Sequence, residues 1–304
     1  MKRFLQLSLT FCGVLFCLCV GVDFGLSELV MHSNEKELQT WDELMHKTID
    51  SDLIIMGNSR SWVHYNPEIL DSILHVNSYN LGYDGSSLNR QIQRYHIYRK
   101  RNRKPKFIVQ NIDFFSLQYV VGYQKEQFLP YFLNKDMRKE FYRQEPFNFA
   151  DKYLPLYRYR GTKIYKILRH HPPLRTKGYQ GQDLLWDGEM FNSLDSITFC
   201  ISDTTARMFD DYLKSTQEDT IKTVFVYAPI YSGVISKATN WAKMQDTFQY
   251  YAYKYGITVL DYSELDISRD TAFFYNAMHL NRRGAEIFSD TLARDLKRLG
   301  FTNP

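Results

Sequence analysis

The sequence predicts an α/β fold built on a parallel sheet of about five strands. Three observations predict it. Short apolar runs that end in turn residues alternate with helix-length amphipathic stretches, the pattern of repeated βα units. Polar residues gather directly after those runs, at Gly57-Asn58-Ser59, Asn80-Leu81-Gly82 and Asn111-Ile112-Asp113, where open α/β sheets hold their ligands. The chain has 304 residues, 44% of them hydrophobic, enough for one large α/β domain carrying an insertion.

Met1-Lys2-Arg3 precedes an uncharged run from Phe4 to Val22. Its 19 residues suffice to cross a bilayer or to form a long signal segment. Lys2 and Arg3 favour a cytoplasmic N-terminus, which puts the rest of the chain outside. No small-x-small cleavage site and no lipobox is evident, so an uncleaved single-pass anchor at residues 4–22 is preferred to a cleaved signal. Residues 23–51 are polar and mixed and read as a membrane-proximal linker or helix.

The main domain is expected over residues 52–304. Strand one is residues 53–56, bounded by Gly57, which lets the chain turn sharply. A short helix follows at 67–74. Strand two covers 76–81 and ends at Gly82. Ser86 or Ser87 caps a helix that runs to about residue 101. Strand three is 106–112. Roughly a hundred residues then separate strands three and four, too many for a crossover loop. They are rich in Tyr, Phe, Arg and Lys, and the mainly helical insertion is placed at 117–192. The helix returning to strand four is expected at about 192–214. Strand four is 221–227, a helix at 236–255 ends at Gly256, and strand five is 257–261. The last helix is expected at 281–299, with Ala285, Phe288, Leu292, Leu296 and Leu299 at helical spacing and Gly300 closing it.

Composition excludes several classes. A net charge of +4 is too small to argue for nucleic acid. Cys12, Cys17 and Cys19 lie in the apolar run and Cys200 stands alone, so no disulfide framework forms outside that segment and no zinc spacing is present. His170-His171, followed by Pro172-Pro173 in a basic stretch, reads as a solvated loop. No metal and no cofactor is expected. The 16% aromatic content suits sugar rings or an aromatic core, with the core the stronger reading. Trp186 has the same two readings.

Ser59, just past strand one, is the candidate nucleophile. Four blocks now stand in order: Gly57-Asn58-Ser59, then Asn80-Leu81-Gly82-Tyr83-Asp84-Gly85, then Gln110-Asn111-Ile112-Asp113, then Asn276-Ala277-Met278-His279 before the last helix. In this order they resemble the Ser, Gly, Asn and Asp-x-x-His blocks of the SGNH, or GDSL-like, hydrolase superfamily. The likeness is closest to exported, membrane-anchored bacterial members, in which Asn-Pro follows the Ser block and His-Leu-Asn-x-x-Gly-Ala precedes the final helix. This chain has Asn66-Pro67 and His279-Leu280-Asn281-Arg282-Arg283-Gly284-Ala285. The resemblance covers about residues 52–116 and 220–299 and leaves out the insertion.

The resemblance implies a flavodoxin-like sheet with helices on both faces, and acyl-transfer chemistry. Ser59 attacks an ester carbonyl and His279 takes its proton. The oxyanion is held by the N–H groups of Ser59 and Gly82 and by a side chain from strand three, for which Asn111 is the candidate. Two departures stand out. Aligning on Asp113 puts Ile112 at the family's Asn position. Asn276 replaces the family's Asp, so it can orient His279 but brings no charge; Asp270 or a backbone carbonyl are the alternatives. Asn80 and Asn281 read as turn or cap residues, and Arg60 and Arg90 as anion ligands or solvated cations.

The expected function is therefore an extracytoplasmic serine esterase or O-acyltransferase acting on carbohydrate or cell-envelope polymer, on the outer side of the inner membrane. The alternative is a catalytically degenerate module that binds glycan or docks a membrane acyltransferase. Expected partners are an ester-bearing carbohydrate or other acyl donor and the membrane, with no nucleic acid.

Overall fold

The computed structural model describes residues 1–46, 49–121, 125–142, 147–169, 175–186 and 196–303. The chain forms two compact units: Met1–His46 with Val121–Leu174, and Lys47–Val120 with Arg175–Pro304. His170 and His171 lie outside the described residues.

In the first unit, α1 (Lys2–Met31) is one long helix whose apolar first part is exposed. It has the length and composition to cross a membrane, which a signal sequence shares. The helix does not stop where the apolar run does but continues through residues 23–31, and α2 (Lys36–Met45) follows. The joint is drawn together by Asp42, whose Oδ1 lies 3.0 Å from His32 Nδ1 and 2.9 Å from His46 Nδ1. The apolar face of α2 is covered by the insertion. Trp41 packs edge-on to Phe128 and Phe141, at 5.8 and 5.5 Å between ring centres. Trp41 Nε1 donates to Gln127 Oε1 at 2.6 Å, so the polar end of the buried indole is satisfied. The described part of the insertion is a series of short helical turns, including Lys125–Tyr131, Phe149–Tyr153 and Ile164–Leu168.

The second unit is a five-stranded parallel sheet in the order β2-β1-β3-β4-β5, formed by β1 (Leu53–Met56), β2 (Ser78–Asn80), β3 (Phe107–Asn111), β4 (Lys222–Tyr227) and β5 (Thr258–Asp261). β1 and β3 are buried throughout, so β1 and the first three residues of β3 read as apolar runs rather than alternating ones, while β3 ends in the buried polar pair Gln110-Asn111. Between the strands run α3 (Ser59–His64), α4 (Pro67–Leu74), α5 (Leu88–Arg101), α6 (Asp203–Glu218) and α7 (Trp241–Tyr255). A small hairpin of β6 (Phe274–Asn276) and β7 (His279–Leu280) leads into α8 (Arg282–Arg298). One sheet face packs Leu53, Ile55, Val109 and Val224 against Leu70 and Leu74 of α4 and Leu292 and Leu296 of α8. The other face is aromatic: Phe225 meets Phe209 at 5.7 Å and Phe248 at 6.3 Å. Much of the aromatic content is therefore core. Trp186 packs against the first face with Tyr231 at 4.9 Å, in core packing rather than as an open platform.

In the second unit, three elements differ from the sequence expectation by more than one residue. β2 spans 78–80 rather than 76–81, because β1 is only four residues long and pairs Leu53, Ile54 and Ile55 with Ser78, Tyr79 and Asn80 before it turns. The helix expected at 192–214 is α6 at Asp203–Glu218, and that expected at 236–255 is α7 at Trp241–Tyr255. One interaction lies just before the start of both helices. Residues 197–199 and 237–240 clasp each other, with Ile197 N–H on Lys237 O, Thr239 N–H on Ile197 O, and the Asn240 side chain bonded to both backbone groups of Phe199. Backbone used in that clasp is not free to continue a helix.

Candidate active site

The strand order reverses between β1 and β3, so their carboxyl ends border the crevice where this class of sheet binds ligands. Ser59 opens α3 at that point. Asn58 is the N-cap, its Oδ1 accepting from Arg60 N–H at 3.1 Å. Gly57 serves close approach: a Cβ there would stand 1.9 Å from Ser61 Oγ and 2.8 Å from Asn111 Cβ. Gly82 is constrained in the same way, since an added Cβ would lie 2.5 Å from Ser61 Cβ and 2.7 Å from Trp62 N.

His279 Nε2 lies 2.7 Å from Ser59 Oγ, and its Nδ1 lies 2.9 Å from Asn276 Oδ1. The proton positions follow from one further bond. Met278 N–H also donates to Asn276 Oδ1 at 2.9 Å, so the amide presents oxygen there. The hydrogen between Asn276 and His279 then belongs to Nδ1, Nε2 is the acceptor, and Ser59 Oγ–H donates to it. This is the arrangement a serine nucleophile and its base require. Burial, reinforced by the Arg60 guanidinium and opposed by Asp113, pushes His279 down to about 3, so the ring is neutral across the physiological range. Tyr275 stacks on the imidazole at 5.3 Å between ring centres.

Beneath the serine lies a buried charge pair. Arg60 Nη2 stands 2.7 Å from Asp113 Oδ2, and Asn58 Nδ2 donates to the same oxygen. Asp113 Oδ1 accepts from Phe115 N–H at 2.8 Å and Ser116 Oγ at 3.2 Å. Burial alone would raise the Asp113 carboxyl, but Arg60 and these donors hold it below the usual range. Arg60 is therefore not a solvated cation. Arg90 is buried on α5 and donates from Nε to Val120 O.

A cavity of about 370 Å³ opens at Ser59, lined also by Arg60, Phe115, Ile197, Thr198, Met278 and His279. A cavity of about 380 Å³ in the first unit, lined by Glu35, Glu126, Lys163 and Lys166 among others, has no serine, cysteine or histidine on its wall. The Ser59 cavity holds a serine hydrogen-bonded to a histidine.

The structure brings together Ser59, His279 and Asn276, while the polar groups of Asn111 and Gly82 engage other partners here. Asn111 Oδ1 accepts from Tyr65 Oη at 2.8 Å, and its Nδ2 lies 3.4 Å from Asp113 Oδ2, so the amide serves the packing beneath the site. The Gly82 N–H donates to Asn80 Oδ1 at 2.9 Å. Asn80 Nδ2 holds the carbonyls of Ser61 and Tyr65, a larger role than a turn residue's. Asp270 caps a short turn through Ala272 N–H, whereas the His279 ring is oriented by Asn276. Asn281 is the N-cap of α8, as its sequence position suggests.

Sequence reasoning did not single out His64. It is fully buried, accepts from Leu280 N–H at Nε2 (2.9 Å), and sits edge-on to His279 at 6.1 Å between ring centres. Burial, then the neighbouring His279 and Arg60, hold it well below its ordinary value. As a neutral acceptor it pins β7 where His279 emerges. Its only signal in the sequence is its place on the helix that Ser59 begins.

No known family pattern matches the chain, and no curated protein matches it. Several solved structures are similar to it in fold. One is described as a lipolytic protein of the G-D-S-L family from Desulfitobacterium hafniense, 11% identical over 80% of this chain and 97% of the other, with a TM-score of 0.42. A second, described as an acylhydrolase from Bacteroides fragilis, is 12% identical over 81% and 86%, with a TM-score of 0.40. A GDSL-like lipase from Bacteroides thetaiotaomicron is 10% identical over 81% and 88%, with a TM-score of 0.39.

Proposed function

We propose that the protein is a serine esterase or O-acyltransferase of the SGNH type, anchored in the inner membrane by α1, with its second unit on the extracytoplasmic side and ester groups of carbohydrate or cell-envelope polymer as substrate. The observation that carries the chemistry is the continuous hydrogen-bonded chain Ser59–His279–Asn276 at a cavity. The four sequence blocks supply the substrate class by resemblance.

In this reading Ser59 Oγ bonds to the ester carbonyl carbon as its proton passes to His279 Nε2. The tetrahedral oxyanion is met by the Ser59 N–H, which has no acceptor among the described residues. Collapse breaks the ester C–O bond, and the leaving alkoxide takes the proton from His279. Water, or an acceptor hydroxyl in a transferase, then gives its proton to His279 and attacks the acyl-serine. Acyl transfer to a polymer would fit a partnership with a membrane acyltransferase.

The uncharged Asn276 favours a second reading, a module that keeps the geometry and binds glycan without turning it over. A fluorophosphonate probe and p-nitrophenyl acetate decide between them. The esterase reading expects labelling at Ser59 and hydrolysis that falls by about a thousand-fold or more in Ser59→Ala and in His279→Ala. Wild-type protein that neither labels nor hydrolyses the ester overturns it. A panel of acetylated glycans then tests the substrate class.

A further inference from the structure

The insertion grips α1 at one defined height. Asp23 is the first charged residue after the apolar run. Its Oδ1 accepts from Leu156 N–H at 2.9 Å, and its Oδ2 pairs with Arg158 Nη2 at 2.7 Å. One turn on, Ser27 Oγ bonds Tyr159 Oη at 2.8 Å and accepts from Arg158 Nη2 at 3.0 Å. Residues 156–159 are therefore fixed level with the end of the run. The 19 residues of that run span about 28 Å as a helix, close to the hydrocarbon thickness of roughly 30 Å. If α1 spans a bilayer, Asp23 lies at its boundary with water.

The segment leading into this grip is unusually apolar for a solvated surface. Phe149 is 74% exposed and Tyr153 64%, with their rings 4.6 Å apart, and Leu154 and Tyr157 are exposed beside them. Lys152 is exposed among them. The short helix carrying Phe149 and Tyr153 has a complete capping box between Asn148 and Asp151, so its first turn does not depend on water. Aromatic side chains with one apolar and one polar end, next to cations, are what the headgroup layer selects.

We propose that residues 149–157 form an interfacial seat, lying in the phospholipid headgroup layer of the bilayer that α1 crosses. The proposal rests on the anchor reading of α1, and the experiment separates the two. Full-length protein is reconstituted in phosphatidylethanolamine–phosphatidylglycerol nanodiscs containing brominated lipid. Quenching of each Trp variant is compared with that of the parent, whose four tryptophans set the background. Phe149→Trp and Tyr153→Trp should add at least two-fold more quenching with bromine near the headgroup than with bromine deep in the chain. Phe11→Trp, within the apolar run, should favour deep bromine. Tyr165→Trp should add little, because Ile167 O is held by Ser33 Oγ, roughly 15 Å farther along the axis than Asp23. If Phe11→Trp is quenched but Phe149→Trp and Tyr153→Trp match the parent, or if Tyr165→Trp is quenched as strongly as they are, the anchor stands and the seat falls. If none is quenched, both fall.

Discussion

Asn276 does one of the two things a triad acid does. Its Oδ1 fixes the tautomer and tilt of His279, helped by Met278 N–H, which locks the amide orientation. It cannot compensate the charge that appears on the imidazole when Ser59 is deprotonated. In serine proteases, where the native residue is Asp, the change to Asn costs about ten-thousand-fold, partly because the wrong tautomer results. Here the tautomer is already correct, so Asn276→Asp should raise kcat/KM by about ten- to a thousand-fold. It should also shift the acid limb. With His279 pushed down to about 3, the wild-type profile should hold its rate well below pH 6, and a carboxylate on Nδ1 should move the limb upward. Coincident limbs in p-nitrophenyl acetate profiles would remove Asn276 from the working site. His64 gives a separate, structural pH effect. Its folded value lies below its unfolded one, so the unfolded state binds more protons in acid. The stability it contributes is therefore present above about pH 6.5 and lost as the pH falls below that. His64→Gln keeps an acceptor for Leu280 N–H and removes the titration. Its urea midpoint should fall less between pH 7 and pH 4.5 than the wild type's.

At the scale of elements, the Ser59 turn is held by its join to the loop after β3 as well as by its own cap. Arg60 and Asp113 are both nearly inaccessible, so removing one leaves the other charged and buried. Asp113→Ala should cost about 3–5 kcal/mol in denaturant unfolding. The exposed pair Arg294–Asp290 on α8 is the control, and Asp290→Ala should cost under about 1 kcal/mol. Comparable losses would mean that the Asp113 pair does not hold the site. The same elements show what a single sequence exposes. β1 was legible because a strand covered on both faces is apolar throughout, Ser59 because it directly follows that strand, and His279 through its block before the last helix. Asn58 to Asp113, His64 to Leu280, and the clasp of 197–199 with 237–240 were not legible. Each joins residues tens to hundreds of positions apart through backbone or amide groups that leave no periodicity. The contacts of Asn111 were not legible for a related reason. Its block does not encode Tyr65, whose hydroxyl donates to Asn111 Oδ1 from the end of α3.

For the molecule as a whole, sidedness can be read from a residue the chain already has. Cys12, Cys17 and Cys19 lie along α1, while Cys200 is exposed in the second unit, just before α6. Outside α1 it is the only cysteine in the sequence, so it reports the position of the second unit without any engineered site. Lys2 and Arg3 bias the start of α1 toward the cytoplasm, which predicts that the second unit faces outward. A membrane-impermeant maleimide added to intact spheroplasts should then label the wild-type protein and fail to label Cys200→Ser. Labelling only after lysis would place the second unit in the cytoplasm. That outcome would exclude the extracytoplasmic esterase reading and its envelope substrate, yet leave the Ser59–His279 chemistry open to a cytosolic ester. Fractionation of the labelled protein adds the remaining distinction. Label recovered with membranes after a carbonate wash supports α1 as a retained anchor, since a spanning helix resists extraction that a peripheral surface does not. Label recovered in the soluble fraction means that α1 was removed as a signal, and the interfacial seat falls with it.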